Sequence, residues 1–277
     1  MKNLTKIGMI AAALGSFALS SCQKNFDPKT YAPPLNIGGY TSVKSIATSN
    51  LVGYWAFNGS LVDSVSNTAA VATGTSFTKG FEGQALQGAN NAYAVTNTPA
   101  AIQNLHSFTV TAWVQSPQNT NGIVGILDIA NANSFWGNLD IFFENGSTPT
   151  SGNLKIHTNN NGADGWLGNY VITNPWNKWM NVGVSYDATS STFKVYVNGS
   201  KIATQTIAGF GPLQFQNASK MVFGTVQFQT TPSLTTSTGS QPWASYLTGQ
   251  LDEVRIYNAA LTDAQIGAIV GLEGRGK

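Results

Sequence analysis

The chain has 277 residues, of which 42% are hydrophobic, 11% aromatic and only 9% charged, with a formal net charge of +2. That balance excludes a basic nucleic-acid binder and a polybasic membrane-surface protein, which need a clear excess of Lys and Arg, and the apolar content excludes an acidic disordered chain. The length suits one β-domain, and 29 Gly with so little charge favour short strands and polar turns over long amphipathic helices.

Residues 1–22 read as an export signal. Lys2 and Lys6 give the positive start, and residues 7–20 form an apolar stretch too short to span a bilayer. Without those two lysines the remaining chain has no net formal charge. The stretch ends in Leu19-Ser20-Ser21-Cys22, which resembles the lipobox of bacterial lipoproteins. The resemblance implies that Cys22 carries a thioether-linked diacylglycerol and becomes the first residue after cleavage. A thiolate is the most nucleophilic side chain for such an alkyl transfer, and Cys22 is the only cysteine in the chain. No internal disulfide can form, so a core or a metal must hold the fold. Several acyl chains give firm anchoring. The implied location is the cell envelope, as an outer-membrane lipoprotein. Gln23-Lys24-Asn25 lacks the acidic run that marks surface export in some lipoproteins. Residues 23–49, with Pro28, Pro33, Pro34 and Gly38-Gly39, read as a flexible tether, or in part as an edge strand near residues 40–46.

From Asn50 to Lys277 the pattern is strand, turn, strand. Residues 51–57 alternate and meet Asn58-Gly59, a turn signal. Residues 108–114 put Phe108, Val110, Ala112 and Val114 on one face, and residues 181–186 repeat the alternation. Phe193, Val195 and Val197 lead through Asn198-Gly199 into residues 201–207, the clearest hairpin in the chain. Residues 221–224 and 251–257 complete the stronger strands. Two helices are expected: a turn or two over 99–105, and a short C-terminal helix opened by the capping box Thr262–Gln265 and running to about Val270. So many short strands imply an all-β, two-sheet antiparallel sandwich.

Several of these segments resemble bacterial laminin-G-like domains. They are residues 51–59 with Asp63, Gly80-Phe81-Glu82-Gly83-Gln84-Ala85-Leu86, residues 107–114, residues 179–187 with the Tyr196–Gly199 turn, and residues 249–262. The resemblance implies the concanavalin A-like jelly roll, whose members mostly bind glycans or proteins. It also implies a structural calcium ion, for which Asp63 and Asp252 are the candidate ligands. Asp252 has the parity of Val254 and Ile256, and an inward carboxylate needs either a cation or several N–H donors.

Catalysis is not expected. Glycoside hydrolysis usually needs two carboxylates. Residues 138–144 superficially resemble the catalytic strand of laminarinase-type hydrolases, but Asn138 stands at the nucleophile position and Glu144 lies one residue beyond the usual acid. His106 and His157 sit in no metal-ligand motif and read as ordinary polar or surface histidines. No nucleophile elbow or phosphate-cradling glycine loop is present.

The expected function is a lipid-anchored, lectin-like protein that binds a neutral glycan beside an outer-membrane glycan importer. The alternatives are an adhesin or protein-interaction module and, last, a glycoside hydrolase. Sugars need aromatic platforms beside amides and backbone polar groups. Trp55, Trp113 and Trp179 lie in strand motifs and read as core, whereas Trp136, Trp166, Trp176 and Trp243 lie in Gly-, Asn- and Pro-rich surroundings. Trp136, Trp166, Tyr170 and Trp243 are the candidate carbohydrate-binding residues, with Trp136 and Trp166 foremost.

Overall fold

Apolar residues alternating with Thr, Asn and Lys, punctuated by glycine turns, dictate strands that bury one side. The computed structural model describes residues 35–118 and 121–277; the export signal, Cys22 and residues 23–34 of the expected tether lie outside them. The first six strands are β1 (Leu51–Trp55), β2 (Ala70–Thr73), β3 (Ser76–Lys79), β4 (Gln84–Gln87), β5 (Tyr93–Asn97) and β6 (Phe108–Gln115). Next come β7 (Ile123–Ile129), β8 (Leu139–Asn145), β9 (Ser151–Asn160), β10 (Ala163–Thr173) and β11 (Met180–Asp187). The series ends with β12 (Thr192–Val197), β13 (Ser200–Thr206), β14 (Lys220–Phe223), β15 (Ala244–Ser245) and β16 (Gln250–Tyr257).

They form two eight-stranded sheets packed as a jelly-roll sandwich. Sheet I has the order β13-β12-β11-β6-β16-β4-β3, with β1 also on β16. Sheet II has the order β10-β9-β8-β7-β14-β5-β2, with β15 also on β7. Pairing is antiparallel except for the short β15–β7 pair. Between the sheets lies the main core, including Trp55, Phe108, Val110, Phe143, Ile156, Val184, Phe223 and Ile256. Trp55 and Phe223 meet at 5.1 Å between ring centroids.

The capping box forms as expected. The Thr262 side chain accepts from Gln265 N–H at 3.2 Å, and Gln265 Oε1 accepts from Thr262 N–H at 3.0 Å. The helix spans Asp263–Glu273, three residues beyond its expected end. It lies on the outer face of sheet I, where Glu273 accepts from Trp113 Nε1 at 2.7 Å and Arg255 Nε at 2.7 Å. Trp113 is therefore buried outside the sandwich interior, stacked on Phe81, rather than in the central core.

Residues 36–50 depart from the tether expectation. Val43 and Ile46 are buried, and Val43 N–H donates to the Lys277 carbonyl at 3.3 Å. Two short 3-10 turns, Val43–Ser45 and Thr48–Asn50, take the place of a strand. The reason is partnership: the C-terminal helix supplies an apolar surface that the local sequence does not announce.

Candidate functional site

Sheet II is buried on both faces at its centre. On β8, Leu139, Ile141 and Phe143 point into the main core while Asp140, Phe142 and Glu144 point outward. The outward face is not simply solvated. Two loops, residues 130–138 and 224–243, fold over it and make a second apolar cluster of Ile123, Phe142, Val226, Phe228 and Ala244, joined by Phe135 and Trp136.

Buried Gln227 ties these loops together. Its Nε2 donates to the Ser134 and Phe135 carbonyls at 2.7 and 2.9 Å, and its Oε1 accepts from Asn131 N–H at 2.7 Å. At Gly137 the chain passes so close to the sheet that a Cβ would come within 2.6 Å of Asp128 Oδ1. These constraints hold Trp136 parallel to Phe142, with ring centroids 5.5 Å apart and planes at 9°.

Trp136 is the centre of an aromatic row. Trp166 meets it edge-on at 5.0 Å and 88°, and Trp243 meets it at 5.9 Å and 40°. Trp166 and Trp243 are each 41% exposed, whereas Trp136 is half-buried. Three of the four expected binding aromatics thus come together, from strand β10 and two loops far apart in sequence. Trp176 instead packs edge-on against Phe143 at the main core.

Tyr170 does not join them. On an uninterrupted strand, residues 166 and 170 would share a face. The register shifts between Leu167 and Tyr170, where β10 advances three residues against two on β9. This bulge turns Tyr170 inward against the core, and its hydroxyl donates to Gln205 Oε1 at 3.1 Å.

Beneath the row, four residues lie opposite one another across four strands: Asp128 on β7, Asp140 on β8, His157 on β9 and Trp166 on β10. His157 is fully buried, correcting the expectation of an ordinary polar or surface histidine. Its Nδ1 lies 2.8 Å from Asp140 Oδ2 and its Nε2 3.0 Å from Asp164 Oδ1. Burial raises the Asp140 pKa to about 7. Burial, and then the Asp140 charge, raise Asp128 well above the usual carboxylate range. Burial also lowers His157. A protonated Asp140 donating to Nδ1, with Nε2–H donating to the Asp164 carboxylate, satisfies both contacts and keeps the buried groups uncharged. This relay was invisible in sequence because its members are 7 to 17 residues apart and only strand register aligns them.

Asn138 is held at both ends of its amide. Its Nδ2 donates to the Ala130 and Gln216 carbonyls at 2.7 and 2.9 Å, and its Oδ1 accepts from Gln216 N–H at 2.8 Å. It is a buried loop clamp. Glu144 pairs with Lys155 at 3.3 Å.

The Asp63 and Asp252 carboxylates do not fit a shared calcium ion. Asp63 is fully buried and accepts from the backbone N–H groups of Tyr54, Val65 and Ser66 and from the Ser66 hydroxyl. Asp252 accepts from Glu82 N–H at 3.0 Å and Glu253 N–H at 2.9 Å. Four donor hydrogens occupy the Asp63 lone pairs that a cation would need. Among the described residues, no group of three or more His, Cys, Asp or Glu is placed to hold a metal.

A polar cavity of about 940 Å³ opens on the far side of Trp243, lined by Asn90, Asn91, Gln229, Gln241 and Tyr246 among others. A smaller one of about 380 Å³ lies on the near side, against Glu144 and Trp243. Sequence reasoning missed the larger cavity, because its amides come from segments more than a hundred residues apart.

No curated protein matches the chain. Among solved structures, the binding domain of Paraclostridial Mosquitocidal Protein 1 superposes with a TM-score of 0.60 at 18% identity, covering 81% of this chain and 52% of that one. The binding domain of Botulinum neurotoxin DC, solved with rat synaptotagmin II, gives 0.59 at 15% identity, covering 83% and 52%. The chain spans about half the length of these two binding domains. Domain 4 of AbnA, a GH43 extracellular arabinanase from Geobacillus stearothermophilus, solved with arabinotriose, gives 0.54 at 20% identity, covering 80% of this chain and 98% of that one. At these identities the likeness is one of fold. Residues 87–267 match a laminin-G-like family model of the concanavalin A-like lectin/glucanases superfamily, and the chain belongs to that family.

Proposed function

We propose that the protein binds a neutral glycan on the outer face of sheet II, with Trp166, Trp136 and Trp243 as its stacking platforms. The observation that carries this reading is the aromatic row itself, half open to solvent and fixed from below by Phe142 and Phe228. A sugar lays its C–H face on an indole, and each such contact contributes on the order of 1 kcal/mol beyond apolar burial. Amide groups beside the row supply paired donors and acceptors for hydroxyls. The arabinotriose complex of the arabinanase domain supports a neutral sugar as ligand for this fold.

In the same reading the protein is a lipid-anchored component of the cell envelope, acylated at Cys22, and hands glycan to an outer-membrane import system. Weak individual sites suffice on a membrane that displays many copies. Calorimetry against a panel of neutral glycans, with Trp166→Ala and Trp243→Ala beside the parent, tests the site. Loss of binding in both variants is the expected result. Binding unchanged in both overturns the site, and binding of a protein partner in place of any glycan makes this an interaction module. Cys22→Ser should move the protein out of the membrane fraction; unchanged detergent partitioning would overturn the anchor.

A further inference from the structure

The aromatic row ends at Trp243, but the concave surface does not. Trp243 is the shared wall of two cavities, the smaller on the side of Glu144 and the larger on the side of Asn90 and Asn91. No residue lining the larger cavity carries a charge. It therefore offers no ion pair to a phosphate, sulfate, carboxylate or ammonium. What it offers is amides, each a donor and an acceptor together, which matches vicinal hydroxyls.

Its walls are rigid. Gln229 Oε1 accepts from Gln241 N–H at 3.0 Å, Gln229 Nε2 donates to the Ala244 carbonyl at 3.1 Å, and the Tyr246 hydroxyl donates to the Gln229 carbonyl at 2.8 Å. Ile123 N–H donates to the Trp243 carbonyl at 2.9 Å. Gly122, with φ of +123°, permits that approach, since a Cβ would come within 2.0 Å of the same oxygen. The Asn90 and Asn91 side chains, by contrast, are exposed and bond to no described residue. They stand at the rim with no side-chain hydrogen bond among the described residues.

The row also constrains the ligand's shape. Successive rings are turned by 88° and 40°. A flat, ribbon-like glycan needs coplanar platforms, whereas these suit a chain that twists from one sugar to the next.

We propose that the amide-lined cavity is the second half of one extended site, which takes a neutral, twisting oligosaccharide that crosses Trp243 and ends at Asn90 and Asn91. This deepens the glycan-binding reading and rests on it. The site thereby selects by chain length: short oligosaccharides occupy the row alone, and longer ones gain the cavity.

The test is calorimetry with laminari-, malto-, arabino- and cello-oligosaccharides from disaccharide to hexasaccharide. The variant is Asn90→Ala/Asn91→Gly, chosen because Asn91 has a φ of +60° that glycine adopts without strain. For the parent, affinity should rise about tenfold from the shortest bound oligomer to the hexasaccharide, consistent with one or two added hydrogen bonds. The variant should lose most of that gain while binding the short oligomer like the parent, and the flat cello series should bind least. A variant that binds the hexasaccharide as the parent does, or an affinity independent of length, overturns the extended site and leaves the aromatic site standing. A preference for the cello series overturns the twisting ligand. No binding by any series overturns both readings.

Discussion

Gln205, on the edge strand of sheet I, holds the main chain of Trp166 on the edge strand of sheet II. Its Nε2 donates to the Trp166 carbonyl at 3.0 Å, while its Oε1 accepts from Gly168 N–H at 3.3 Å and from the Tyr170 hydroxyl at 3.1 Å. One side chain thus ties the β10 backbone at Trp166 and Gly168 to the facing sheet, and closes that side of the sandwich. Gln205→Ala should cost about 1–2 kcal/mol and speed amide exchange at residues 166–170. Glycan affinity should fall several-fold through Trp166. Exchange rates unchanged in β10 would show that the clamp does not matter.

The three tryptophans should separate by burial. Trp136 packs against Phe142, Phe228 and both other indoles, so Trp136→Ala should cost about 2–3 kcal/mol as well as binding. Trp166→Ala and Trp243→Ala should each cost under about 1 kcal/mol, because both rings are already part-solvated. Thermal melts beside calorimetry read the two effects; a Trp136→Ala protein as stable as the parent would contradict the packing.

Asp140 should make stability depend on pH. Its carboxyl titrates near 3.8 unfolded and near 7 folded. Between those values the folded chain holds more protons, so this contribution is complete below about pH 4 and is lost as pH rises through 7. His157, lowered by burial, acts in the opposite sense and loses stability as pH falls below its ordinary 6.5. Comparison with Asp140→Asn isolates the first effect. The melting temperature of the parent minus that of the variant should shrink steadily from pH 4 to pH 8, and a constant or growing difference would be the contrary result.

Restoring an acid at the hydrolase-like position should damage rather than activate. Asn138→Asp replaces two amide N–H donors with a carboxylate facing the carbonyls of Ala130 and Gln216. The expected cost is about 2–4 kcal/mol, with no hydrolysis of any bound oligosaccharide. Released reducing ends above the blank would show a latent catalytic strand.

Asp63 should hold its loop without a metal. It gathers N–H groups from both sides of the loop after β1, and β1 is the strand paired to β16. Asp63→Ala should cost about 2 kcal/mol, since three part-buried N–H donors lose their acceptor. A chelator should leave the melting temperature of the parent unchanged; a marked fall would restore the calcium reading.

Local pattern alone was enough where the signal itself lies within a few residues, however distant the strand's partner. The alternation over residues 108–114, the Asn198-Gly199 hairpin and the Thr262–Gln265 box each declare their structure within a few residues, because turn chemistry and side-chain parity are local. Pattern also separated Trp136, Trp166 and Trp243 from Trp55, since Gly- and Asn-rich surroundings seldom build a core. Tertiary structure decided the rest. One extra residue in β10 sent Tyr170 inward while Trp166 stayed outward, and no propensity marks that bulge. His157 became a buried link between Asp140 and Asp164 because two loops cover the outer face of sheet II, giving a polar strand face a second core. Asp63 and Asp252 found backbone donors that no local pattern announces, because lone pairs are claimed by whichever groups the folded chain brings nearest. Composition and periodicity determine which residues want burial or water; which of them meet is set by register and by loops closing over long separations.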